Sequence, residues 1–311
     1  MSRGSWENHD NRARIAYWYY KMNMTQGDIA KRLKISRQKV NQIVGKLVEE
    51  GVVEIRIKGP EERSIELELE LERNYALQKA FVMDVEHEEN KLAAFGNRAA
   101  EALDSIIDDD RIIGVSWGVT LGAAIAGMTY SRRKNCKVVQ LVGGLNLDKK
   151  LTQPDDITRL LAEKLSCDFN LLYAPAMIDS PDAREIILQD QAIKKTFDLI
   201  NKCDLALLGV GELKLTSTVS VEGYMPRERL EQLIAEGYVG DLAMRPFTLD
   251  GRWAPDTNVI GVDAETLARI PGTAILAYGG KKAEAVMGAL NTGCVDILII
   301  DTEIAAKITK S

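Results

Sequence analysis

The sequence predicts an α/β protein in two parts: an N-terminal winged helix-turn-helix domain followed by a parallel-sheet α/β domain. Three observations carry this reading. Two short amphipathic helical patterns joined by a tight turn lie between Gln26 and Glu50. From about Ala80 onward, apolar strand-like runs alternate with helical patterns, the order that builds a parallel sheet. Charge divides at the same place. Residues 1–60 carry 12 Lys/Arg against 6 Asp/Glu, and residues 61–311 carry 28 against 40, within a net charge of −6. A basic head on an acidic body leaves the head as the part suited to a polyanion.

Arg12 to Lys21 reads as a first helix, with Ile15, Tyr17, Trp18 and Tyr19 as its apolar contacts. Thr25 is an N-cap candidate with Asp28 three residues on, an approximate capping box for a helix over Gln26–Leu33. Ser36 is the next N-cap candidate, opening a helix from Arg37 to Glu50 with Val40, Ile43, Val44, Leu47 and Val48 on one face. Gly51 ends it, and the alternation from Val52 to Ile57 predicts a wing strand.

The third helix presents Arg37, Gln38, Lys39, Asn41 and Gln42 outward. These are the groups that read base edges, Arg toward guanine and Asn or Gln toward adenine. The helix starts at Thr25, Gln26 and Ser36 offer backbone amides to phosphates. Lys31, Arg32, Lys46, Arg56 and Lys58 add attraction that does not depend on sequence. The expected partner of this domain is duplex operator DNA.

Gly59-Pro60 marks a boundary, so the domains are expected at 1–58 and 79–311 with a connector over 59–78. Within the connector, Ser64–Glu72 alternates strictly between apolar and acidic residues. That favours a strand whose glutamates form a solvated face, although Glu and Leu also suit a helix.

In the second domain, strand-like runs fall at 80–85, 111–117, 137–142, 169–174, 205–210, 258–262, 273–277 and 295–301. Helical patterns fall at 92–107, 119–128, 157–165, 183–189, 193–202, 227–236, 265–270 and 281–291. Ligands of such folds bind at the carboxyl ends of strands. Small and polar residues gather at several of those ends: Gly114–Gly122 with Ser116, Gly118 and Thr120; Gln140 with Gly143 and Gly144; Gly209–Glu212; Gly240-Asp241; and Tyr278–Ala283. The Gly114–Gly122 turn matches neither the P-loop nor the dinucleotide fingerprint. Lys281 and Lys282 at a helix start oppose the helix dipole, which makes sense where an anion sits. Asp301 closes the last strand and reads as a cap.

Other classes are disfavoured. No apolar run reaches the roughly 18 residues that span a bilayer. The first residues hold no signal-peptide core, so a cytoplasmic location is expected. Cys136, Cys167, Cys203 and Cys294 form no close pair, and with only His9 and His87 there is no zinc-ligand spacing. No metal or cofactor is expected.

These motifs, in this order and spacing, resemble the SorC family of sugar-responsive transcription regulators essentially from end to end. The likeness rests on Tyr19–Leu33, Ile35-Ser-Arg37, Glu50–Arg56, Gly114-Val-Ser-Trp-Gly118, Val139–Gly144 and Ala174-Pro-Ala176. It continues through Leu208-Gly-Val-Gly211, Val239-Gly-Asp241, Asp250-Gly251, Lys282–Val286 and Leu298-Ile-Ile-Asp301. The resemblance implies an effector domain related in fold to sugar-phosphate isomerases and CoA-transferase-like domains. That domain would lack catalysis and bind a phosphorylated sugar or similar metabolite, in a homo-tetramer or dimer of dimers. It implies that the turn Ser116-Trp117-Gly118-Val119-Thr120 holds phosphate and that Asp241 and Lys282 face the ligand, with Gln140, Gly143 and Gly144 along the same strand ends. The chain departs from the family at Tyr278-Gly279, where two glycines are usual, and at Gly280-Lys281, where acidic or polar residues are usual. Lys281 thus adds charge beside the implied site, and Tyr278 adds bulk.

The expected function is therefore a regulator of a carbohydrate-utilisation operon, and not an enzyme. The alternative is a sugar-phosphate isomerase-like enzyme with an appended DNA-binding domain, using Asp241 and Asp301 as acid/base groups and Lys282 on phosphate. Fold kinship alone does not imply activity.

Overall fold

The computed structural model describes residues 9–55, 62–144, 153–215, 225–255 and 258–310. The chain forms two compact units, Met1–Gly59 and Pro60–Ser311.

The first unit contains α1 (His9–Ala16), a π-turn (Tyr17–Lys21), α2 (Gln26–Leu33) and α3 (Arg37–Lys46). Ile15, Ile29, Leu33, Val40, Ile43 and Leu47 form its core. Both expected N-caps are made. Thr25 Oγ1 accepts the Asp28 N–H at 3.2 Å, and Ser36 Oγ accepts that of Lys39 at 3.2 Å. Between the helices Lys34 is left-handed (φ 55°), which lets the Ile35 N–H reach the Ala30 carbonyl at 3.1 Å.

Three expectations change here. The π-turn widens the first helix and swings Tyr17 out of the core to 60% exposure, while Trp18 and Tyr19 stay packed. Helix α3 stops at Lys46 rather than Glu50. The Val52 and Val53 amides both fold back onto the Leu47 carbonyl, so residues 52–55 are not a strand. The remaining expected wing residues, Arg56 and Ile57, lie outside the described residues, as does Lys58.

The second unit is built on a parallel sheet of order β1-β9-β8-β5-β2-β3-β4. Its strands are β1 (Lys79–Met83), β2 (Ile112–Val115), β3 (Lys137–Gln140), β4 (Asp168–Asn170) and β5 (Leu205–Glu212), then β8 (Thr273–Ala277) and β9 (Ile297–Asp301). An antiparallel hairpin, β6 (Tyr238–Leu242) and β7 (Arg245–Thr248), hangs on the far end of β5. The helices are α4 (Glu62–Tyr75), α5 (Lys91–Ile106), α6 (Val119–Gly127), α7 (Pro154–Leu165) and α8 (Pro181–Gln189). They continue with α9 (Gln191–Ile200), α10 (Arg227–Ala235), α11 (Ala264–Arg269), α12 (Ala283–Asn291) and α13 (Thr302–Ile308).

Side chains alternate between two cores, as a sheet covered on both faces requires. Leu205 and Leu207 pack with α5, α6 and α7; Ala206, Leu208 and Val210 pack with α4, α9, α11, α12 and α13.

The run over 64–72 is a helix, not a strand. Ser64 and Leu71 are buried and Leu67 is half-buried, whereas Ile65 and Leu69 turn outward. Helix-favouring Glu and Leu prevail over the two-residue alternation once the 67/71 pair has a core to enter. Nor is its acidic row wholly solvated: Glu68 and Glu72 accept the backbone amides of Val82 and Ala80 on β1. The run over 258–262 makes only isolated bridges, Val259 to Met177 and Gly261 to Val142. Neither the β6–β7 hairpin nor α13 is among the elements expected from sequence. The hairpin turn explains its own silence. Ala243 and Met244 adopt φ values of 51° and 64° without the Asn-Gly or Asp-Gly that normally signals such a turn.

Candidate functional site

In chain order β2 is followed by β3 on one side of it, and β5 by β8 on the other, so the order in which strands are added reverses between the parallel pair β2 and β5. Open α/β sheets bind ligands in the crevice at such a point, beyond the carboxyl ends of the strands. There β2 runs into Ser116-Trp117-Gly118 and then α6. Ser116 is buried; its amide donates to the Leu207 carbonyl at 3.0 Å, and its Oγ accepts the Gly209 N–H at 3.3 Å. Two glycines allow this approach. Gly118 holds φ +133°, and a Cβ on Gly209 would stand 2.7 Å from the Trp117 carbonyl oxygen. Gly118 caps α6 without a side chain, so the first amides of α6, next to buried Thr120, are not capped by one. That is the arrangement by which a helix start receives an oxyanion.

The next residues of β5 complete the crevice. Lys282 Nζ donates to the Val210 carbonyl at 2.8 Å. Gly211 pairs with Asp241 across the β5–β6 ladder, and a Cβ at Gly211 would overlap Asp241 Oδ1. Asp241 is buried and its Oδ2 accepts the Met244 amide at 3.0 Å, fixing the unusual hairpin turn. Asp241 Oδ1 and Glu212 Oε1 are buried without a hydrogen-bond partner among the described residues, though Glu212 Oε1 lies 3.6 Å from the Lys214 ammonium in an ion pair. Burial pushes the Asp241 carboxyl up to about 6, against the opposing pull of the Met244 amide and the Lys282 charge. Burial likewise lowers the Lys282 ammonium, and Glu212 and Asp241 oppose that. The crevice therefore offers amides and an ammonium to an oxyanion, and carboxylate oxygens that lack donors to hydroxyl groups.

Ser116 and Gly118 meet β5 at Gly209, Lys282 meets it at Val210 and Asp241 at Gly211, while Thr120 lies buried in the first turn of α6 and Trp117 is half-buried. Others stand elsewhere. Gln140 is buried, but its amide is spent on the Val142 carbonyl (2.6 Å) and the Leu172 N–H (3.3 Å). Gly143 and Gly144 let the chain pass the Ala174-Pro175 backbone; a Cβ at Gly143 would lie 2.6 Å from either carbonyl oxygen. Lys281 points to solvent. Asp301 is a cap, accepting the Ile304 amide at 2.8 Å on one oxygen and the Gly279 amide on the other. Glu212 lies in the Gly209–Glu212 strand end noted from sequence but is given no role there; the β5–β6 pairing places it opposite Gly240.

In the first unit α3 exposes Arg37, Gln38, Lys39, Asn41 and Gln42 while Val40 and Ile43 face the core. Gln26 Nε2 donates to Asn41 Oδ1 at 3.1 Å, joining the two helices on their outer side. Thr25 and Ser36 occupy the helix starts as expected. Among the described residues, no helix is long and apolar enough to cross a membrane.

Comparison with known proteins agrees with this division. Residues 60–310 match the family model described as "Putative sugar-binding domain", and residues 10–63 match that of the MarR family. The deoxyribonucleoside regulator of Bacillus subtilis is 29% identical over 295 residues, covering 92% of this chain and 93% of its own. The sorbitol operon regulator of Klebsiella pneumoniae is 27% identical over 308 residues, covering 96% of each chain. The crystal structure of the full-length Klebsiella pneumoniae regulator SorC superposes with a TM-score of 0.74 at 24% identity, over 97% of this chain and 99% of that one. With a sugar-binding family model over most of its length and a DNA-binding one before it, the chain belongs to the SorC family of sugar-responsive transcription regulators.

Proposed function

We propose that the first unit reads operator DNA through Arg37, Gln38, Lys39, Asn41 and Gln42, with Thr25, Gln26 and Ser36 on the phosphates. In the same reading a sugar phosphate occupies the crevice between β2 and β5. Its phosphate meets the Ser116–Thr120 turn and Lys282, and its hydroxyls donate to Asp241 and Glu212. The observation that carries this is the buried Asp241 Oδ1 without a hydrogen-bond donor, beside the half-buried Lys282 ammonium and a helix start with no side-chain cap. A polyol carrying an oxyanion satisfies all of them together, and leaving them unmet is costly. The switch is differential affinity: the effector must bind the DNA-competent and DNA-incompetent assemblies unequally. The assembly is a homo-tetramer or dimer of dimers, suited to a pseudo-palindromic operator. The protein acts as a regulator in the cytoplasm and not as an enzyme. The relatives' names as regulators support this.

The test is titration of the full chain onto DNA from upstream of its own gene, with and without a panel of sugar phosphates. One of them shifts the affinity, and Lys282→Ala abolishes the shift while leaving effector-free binding intact. Operator affinity unmoved by any member of the panel, or a shift that survives Lys282→Ala, contradicts the reading.

A further inference from the structure

A second concavity lies beyond the ends of β1, β8 and β9, with a volume of about 590 Å³. Four cations line it: Arg63 from the first turn of α4, Lys91 from the start of α5, and Lys307 and Lys310 from the last stretch of the chain. Three carboxylates line it too, but two are already engaged. Asp301 caps α13 and holds the Gly279 amide. Glu303 pairs with Lys307 at 3.1 Å, which holds its carboxyl below the ordinary range. Glu86 is the third. Arg63, Lys91 and Lys310 enter no ion pair among the described residues. The concavity therefore presents more positive charge than its carboxylates neutralise, and its volume suits a metabolite. One wall is Tyr278, whose ring packs on Phe95 with centroids 5.5 Å apart.

The space is separate from the β2–β5 crevice. The turn Tyr278–Lys282 stands between them. Lys282 reaches from it to the Val210 carbonyl on the crevice side, and Lys307 holds the Gly280 carbonyl at 2.9 Å on the other.

We propose that this cavity is a second anion site, taking a small phosphate-bearing molecule between Lys91, Lys310 and Arg63. It needs no occupant in the crevice and so stands independently of the function proposed above. An occupant touches both the turn that carries Lys282 and the first turn of α4, the helix that follows the DNA-binding unit.

The test is calorimetric titration of the full-length protein with inorganic pyrophosphate at fixed ionic strength. Four forms are compared: wild type, Lys91→Ala/Lys310→Ala, Lys282→Ala, and Lys134→Ala/Lys202→Ala as a charge-matched control. All substituted lysines except Lys282 are exposed, so the two double variants fold, which circular dichroism verifies. Saturable uptake by wild type, the control and Lys282→Ala, with affinity at least about tenfold weaker in Lys91→Ala/Lys310→Ala, supports the site. The proposal is overturned by no saturable uptake, by equal affinity in Lys91→Ala/Lys310→Ala and wild type, or by equal losses in both double variants. Loss in Lys282→Ala alone assigns the anion to the crevice instead, and likewise overturns it.

Discussion

The carboxylate of Glu68 accepts the backbone N–H of Val82 at 2.8 Å, and one helical turn on, Glu72 accepts that of Ala80 at 3.0 Å. The spacings match: four residues of helix rise about 6 Å, and two residues of strand about 6.6 Å. Because β1 is an edge strand, these amides have no neighbouring strand. Helix α4 thus closes the sheet edge with side-chain acceptors, the kind of cover an exposed edge needs. Glu68→Ala or Glu72→Ala strands a partly buried amide and is expected to cost about 1–3 kcal/mol. Glu68→Gln, which keeps an oxygen acceptor, is expected to cost less. Urea midpoints of the three variants decide this, and equal midpoints for Glu68→Ala and wild type would refute it.

Gly209→Ala tests the crevice. Its new Cβ would meet the Trp117 carbonyl oxygen at 2.7 Å, a backbone atom that moves only if the whole Ser116–Gly118 turn moves. The expected result is a stability loss of about 1–3 kcal/mol, with weakened response to effector and unchanged affinity for DNA in its absence. Anisotropy titrations with labelled operator measure both. Full effector response in a folded variant would show that the turn does not touch the ligand.

How much of this was legible depended on whether the signal was local. The caps at Thr25 and Ser36, the core face of α3 and the apolar run of β5 are written in neighbouring residues, and the structure has them. The nature of α4 was not. Its leucines fit a two-residue and a four-residue period alike, and only the presence of a core beneath Leu67 and Leu71 decides between them. Likewise Gln140 carries a plausible binding group, but its donor and acceptor are consumed by Val142 and Leu172, partners that sequence does not place beside it. Asp241 was legible as a polar residue at a strand end. Its second task, holding the left-handed turn through the Met244 amide, was not, because Ala243-Met244 carries no turn signature.

That buried carboxylate predicts a pH signature. The folded-state value of Asp241, about 6, lies above its ordinary 3.8. Between those values the folded chain binds the proton more readily than the unfolded chain does. Stability is therefore greatest below the lower value and falls as pH rises through the window, by about 3 kcal/mol at most. Asp241→Asn removes this dependence while still offering an oxygen to the Met244 amide. Denaturation midpoints measured from pH 4 to 7 are expected to slope downward more steeply in wild type than in Asp241→Asn. Parallel curves would show that the carboxylate is not the source.

The contact between Gln26 Nε2 and Asn41 Oδ1, at 3.1 Å, predicts how the proposed base-reading face is set. An asparagine that pairs with adenine uses both ends of its amide, so its rotation must be fixed before the groove is entered. Gln26 fixes it from the neighbouring helix and still leaves the Asn41 amide hydrogens outward. Removal of the reader, Asn41→Ala, is expected to cost about 1–3 kcal/mol in operator affinity and to relax preference at one base pair, and Arg37→Ala to do the same at another. Gln26→Ala should cost less, because Asn41 remains and must only be ordered on binding. The two effects should not add: a double-mutant cycle is expected to show coupling of about 0.5 kcal/mol or more. Strict additivity would mean that Gln26 serves only its phosphate contact and does not position Asn41.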